Sequence, residues 1–168
     1  PAERTTGEAL APQGCSRATA RGCSKRIAPT LVRFEHYQPE EVRTMSYVEV
    51  NDFITGYVEC AEWCTIDYPE DGSEPTGCID ARAERWSAEA MDEVRRECVE
   101  FIDANRADLK ATGLPWDCLG HDFMLTRNHH GTGYWDRGLG AVGDRLTEAA
   151  HAYGETNYWV DAQGEVYA

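Results

Sequence analysis

Between Gly120 and Gly138 the chain reads GHDFMLTRNHHGTGYWDRG, its densest run of ionisable and aromatic side chains. The run holds the imidazoles of His121, His129 and His130, the carboxylates of Asp122 and Asp136, and the guanidinium groups of Arg127 and Arg137. The Asn128 amide and the Trp135 indole stand among them. Imidazoles and carboxylates are the groups from which proton transfer and metal coordination are built. Arginines, amides and indoles are the groups that anchor a macromolecular partner. These nine residues are the candidate binding residues. No catalytic residue is assigned, and no metal ligand.

An enzyme in this region would be a small metal-dependent hydrolase or nuclease using His121, His129 and His130, with Asp144 or His151 on a following helix. Its outline would be similar to the ββα metal nucleases. The spacing gives little for that reading, since no HxxxH, HxH or DxD pair occurs. Neither GxSxG, a P-loop nor GxGxxG is present, and no cofactor is implied. Asn128, His129 and His130 beside Gly131 and Gly133 also suit a tight turn, because Asn and His tolerate positive φ. The residues favour a binding protein over an enzyme.

These side chains need elements to hold them. Phe53, Ile54, Tyr57, Val58, Ala61 and Cys64 recur with helical period, and Asn51 or Asp52 is the expected cap. A loop follows at 67–80, rich in Pro, Gly and acids. A second helix opens at Ser87, with Met91, Val94, Cys98, Phe101, Ile102 and Leu109 on its apolar stripe, and Gly113 and Pro115 stop it. His121–Thr126 reads as a strand, Gly133–Asp136 as its partner, and the segment between as a hairpin loop. Asp122, Arg127, Asp136 and Arg137 would then pair across the hairpin. Val142, Leu146, Ala149, Ala150 and Tyr153 mark a short helix ended by Gly154, and 157–160 with 165–167 form a last hairpin. The expected fold is α+β: two N-terminal helices, then a ββαββ unit forming a small antiparallel sheet with helices on one face.

The 168 residues carry a formal charge of −14. Residues 1–44 hold 7 Lys and Arg against 5 Asp and Glu, whereas 45–168 hold 9 against 25, so the acidity lies in the second part. Such a body repels phosphates and disfavours direct nucleic-acid binding. It favours a partner protein with a basic surface, and the second helix and the 67–80 loop are its most acidic stretches. Seven cysteines without a secretory apolar segment point to reduced thiols in a cytoplasm. Cys60 and Cys64, one helical turn apart, read as core packing. No apolar run approaches membrane-spanning length.

Residues 1–44 lack a sustained period and precede the first methionine, Met45. They are expected to be a disordered extension or upstream-frame segment ahead of a single acidic domain at 45–168. A metal site from Cys15, Cys23 and His36 is a poor alternative, with loose spacing and no fourth ligand.

The run from Gly120, continued by LGAVGDRLTEAAHAYG, resembles a motif of small uncharacterised bacteriophage proteins, roughly GHDFWLTRNGHGAGFWDRGLG and a GDRLT helix ending in YG. The likeness is tight over 120–154 and loose over 47–168. Met124 stands where that family usually has Trp, and His129 where it usually has Gly. The resemblance implies phage or prophage origin and a small α+β domain in the host bacterial cytoplasm, but no activity. Together these readings describe a soluble, acidic phage accessory protein that binds a host or phage macromolecule, with DNA mimicry as one form of it. The 120–138 hairpin is its expected functional surface.

Overall fold

The computed structural model describes residues 46–69, 72–75 and 77–168. The expectations for residues 1–44, including Cys15, Cys23 and His36, lie outside the described residues.

The chain is α+β, with four helices, three short strands and two 3-10 turns among the described residues. Helix α1 spans Tyr47–Cys64 and starts earlier than expected, because Ser46 and Glu49 form a capping box. The Ser46 hydroxyl accepts from the Glu49 amide at 3.3 Å, and the Glu49 carboxylate accepts from the Ser46 amide at 2.8 Å. Strand β1, Arg85–Trp86, leads into helix α2, Ala88–Thr112, which Ser87 caps and left-handed Gly113 closes, as expected. Asn105 interrupts α2 with non-helical dihedrals, and its side-chain amide donates to the Phe101 carbonyl at 2.9 Å.

The main correction falls on the next segment. The expected strand at 121–126 is part of a helix, α3, Trp116–Arg127. The expected partner strand is a 3-10 turn, Tyr134–Asp136. Every residue from Asp122 to Arg127 is buried, so no exposed face imposes a helical period on the sequence. Gly120 is where two helices touch. A Cβ there would stand 1.8 Å from the Phe53 carbonyl oxygen, and one on Gly56 would stand 1.9 Å from that of Asp117. Two side-chain-free positions thus bring α1 and α3 into backbone contact.

Helix α4, Ala141–His151, and the closing hairpin of β2, Trp159–Val160, and β3, Glu165–Tyr167, follow as expected. The sheet is mixed rather than antiparallel. Its order is β1-β3-β2, and β1 runs parallel to β3 with Trp86 beside Val166. The ββαββ arrangement is therefore replaced by helices α1 to α4 with strands at the margins. The core centres on Phe101, whose ring stacks on Phe123 at 4.1 Å, with Phe53, Tyr57 and Tyr134 around them. No helix among the described residues is long and apolar enough to cross a membrane.

Candidate functional site

Much of the 120–138 run braces the fold. Asp122 is fully buried and accepts two hydrogen bonds from Arg137, so this expected ion pair forms between α3 and the 3-10 turn rather than across a hairpin. Arg127 is also buried. It donates to Glu97 at 2.5 Å, to the Tyr57 hydroxyl at 2.9 Å, and to the carbonyls of Tyr153 and Gly154. Asn128 donates to the Thr156 carbonyl and accepts from the Thr156 amide, both at 2.8 Å. A buried charge tied by several hydrogen bonds specifies geometry, and it leaves nothing free for a ligand.

The histidines part company at the α3 terminus. His129 has φ of 53° and sits against His151, ring centroids 4.2 Å apart. With Trp135 and Thr147 these two line a shallow cleft of about 260 Å³. His121 stacks on Trp63 at 5.5 Å, with its Nδ1 3.6 Å from the Asp122 carboxylate. The His130 amide donates to the Leu125 carbonyl at 2.9 Å, and the residue is exposed. Asp136 and Trp135 are exposed. Among the described residues no group of three or more His, Cys, Asp or Glu side chains is arranged to hold a metal ion. The candidate residues therefore do not form one site.

The cysteine pair Cys60 and Cys64, at the end of α1, is less uniformly buried than the spacing suggests. Cys60 is buried, as expected, but Cys64 at the end of α1 is only half-buried. The pairing with Cys60 and the neighbouring imidazoles of His130 and His121 draw the Cys64 thiol below its ordinary value, against partial burial. The same pairing, together with burial, pushes Cys60 up. The only sequence signal was the i,i+4 spacing, which core packing explains equally well.

A second feature lies on the outer side of α1. Burial raises the Glu62 carboxyl, and the like charges of Glu59 and Asp80 add to the rise, opposed by a 2.7 Å hydrogen bond from the Trp86 indole. Exposed Trp63 lies one turn beyond Glu59, followed by exposed Ile66. On α2, by contrast, Arg95, Arg96 and Arg106 pair with Asp92, Glu93 and Asp103. Of the expected acidic loop, Asp67 is buried against Arg82 while Glu74 and Asp80 are exposed.

No protein-family model, curated protein or solved structure matches the chain.

Proposed function

We propose that the chain is an acidic accessory protein of bacteriophage type that engages a basic surface on a host or phage macromolecule. The observation that carries this reading is the cluster of Glu59, Glu62 and Asp80, close enough for their like charges to oppose ionisation of Glu62. Folded proteins hold like charges together at a cost, and a basic partner would remove that cost. Beside the cluster, Trp63 and Ile66 offer apolar anchors of the kind that dominate binding energy. Four exposed arginines, Arg82, Arg85, Arg96 and Arg145, are each committed to a carboxylate.

This reading moves the expected surface from the 120–138 segment to α1, and gives α2 a smaller part because most of its acids are paired. The resemblance over 120–154 supports phage origin, and with it a partner met in the host cytoplasm. DNA mimicry is the finer form, with carboxylates standing in for phosphates. The alternative, a metal-dependent hydrolase on His121, His129 and His130, draws no support from three imidazoles that face different neighbours.

The test is affinity capture from a bacterial lysate with the full tagged chain and with Glu59→Lys/Asp80→Lys, both exposed positions. The native chain is expected to retain a basic protein that roughly 0.5 M salt releases, since screening is then complete within a few ångström. The double variant is expected to lose it. Equal recovery by both chains would show that this face is not the surface.

A further inference from the structure

We propose that His129 and His151 form a two-imidazole site for one divalent transition-metal ion of the nickel and copper class, with water completing its coordination shell. The inference is independent of the acidic-surface reading. It rests on the meeting of two side chains from different elements. His129 lies just past the end of α3, and His151 is the last residue of α4. Their ring centres stand 4.2 Å apart, and both residues line the cleft of about 260 Å³ that Trp135 and Thr147 complete. Among the described residues neither ring is engaged in a hydrogen bond, so their nitrogens are open to an ion. Both residues are exposed, which gives the ion and its waters a way in.

The geometry and the local charge fit this role. A neutral imidazole offers one in-plane nitrogen lone pair and is the commonest protein ligand for a transition metal. With metal–nitrogen bonds of about 2.1 Å, two imidazoles on one ion hold their ring centres roughly 4.5–5 Å apart. The pair is slightly tighter than that, and a small side-chain rotation at exposed positions opens it. The backbones beneath the rings are fixed. The His129 amide donates to the Thr126 carbonyl, and the Gly154 amide donates to the His151 carbonyl, both at 3.1 Å. Asp144 and Glu148 are exposed and share the helical stripe of Thr147 and His151, so the field at the cleft favours a cation. Arg145, the arginine of α4, is held by Asp108.

The donor set selects the ion. Magnesium and calcium seek oxygen ligands and gain little from imidazoles. Zinc sites draw on three or four protein ligands, and among the described residues no third His, Cys, Asp or Glu joins this pair. Nickel and copper suit nitrogen donors with water in the remaining positions. The bound ion links the end of α3 to the end of α4, so it stabilises the folded chain by mass action.

The test uses the full chain and nickel(II), since copper and zinc are also drawn to the chain's thiols. Nickel(II) is paramagnetic and broadens the NMR signals of the groups it binds. Up to one equivalent, the ring signals of His129 and His151 should broaden together and before those of any other histidine, and the melting temperature should rise. His129→Asn removes one ligand with a residue that tolerates positive φ, and His151→Gln removes the other at an exposed helix end. Each should weaken nickel binding by roughly tenfold or more, because a lone imidazole loses the chelate, with the circular dichroism spectrum unchanged. Broadening that begins at another histidine, or that reaches only one ring of the pair, would overturn the proposal. A folded single variant that binds nickel as tightly as the native chain would overturn it as well.

Discussion

Arg137 grips Asp122 with two hydrogen bonds, Nε to Oδ2 at 2.8 Å and Nη2 to Oδ1 at 2.5 Å, and the carboxylate they hold has no exposed surface. This clamp ties α3 to the segment ahead of α4. Removing one partner of a buried pair strands the other, at a cost of about 3–5 kcal/mol. Arg137→Ala should lower the melting temperature by on the order of 10 °C. Arg137→Lys should recover little of the loss, because an ammonium cannot repeat the two-pronged contact. A melt within a degree or two of native for Arg137→Ala would show that the clamp does not hold the fold.

Two glycines separate crowding from backbone strain. Gly120→Ala would drive a methyl into the Phe53 carbonyl and force α1 from α3, costing roughly 3 kcal/mol or more. Gly113→Ala meets no atom within 4 Å but sits at φ of 67°, so only left-handed strain of roughly 1 kcal/mol applies. Urea unfolding should rank the two in that order. The reverse ranking would contradict the α1–α3 contact.

How much could be read in advance follows from how each element is buried. Helices α1, α2 and α4 each keep a wet face, so their apolar residues recur with helical period, and Gly113 and Gly154 mark ends. The β2–β3 hairpin announces itself by alternation around Gly164. Helix α3 is buried from Asp122 to Arg127, which leaves an apolar and ionic run whose alternation mimics a strand. The Asp122–Arg137 pair was legible as chemistry, although its setting was not.

With φ of 53°, the His129 backbone holds a conformation that glycine adopts without strain. His129→Gly trades relief of left-handed strain against a more flexible unfolded chain and loss of the ring contact with His151. The melting temperature should stay within about 3 °C of native. A fall beyond that would mean that the His129–His151 contact carries more of the fold than the strain costs.

Two carboxyls should move stability with pH in opposite senses. The Arg82 hydrogen bonds hold Asp67 below its ordinary value, so its contribution is present above the unfolded carboxylate range and is lost as pH falls through the lower folded value. Glu62 is raised, so the native chain loses stability as pH rises from the unfolded value through the folded one. Glu62→Gln should therefore stabilise at pH 7 and lose that advantage below about pH 4, whereas Asp67→Asn should destabilise at pH 7 and converge with native in acid. Chemical denaturation at pH 3.5 and 7 reads both. A Glu62→Gln chain less stable than native at pH 7 would mean that the Glu59–Glu62–Asp80 cluster is not under charge strain.

The most direct measurement of the acidic-surface account is the equilibrium affinity of the full chain for its captured partner as a function of salt, by isothermal titration calorimetry. If Glu59, Glu62 and Asp80 meet a basic surface, log Kd should rise steadily with log salt concentration, and Glu59→Lys/Asp80→Lys should weaken binding at low salt by roughly tenfold or more. Trp63→Ala should weaken it as well, but without altering the salt slope, since an indole carries no charge. An affinity indifferent to salt, or unchanged in the double variant, would contradict the account.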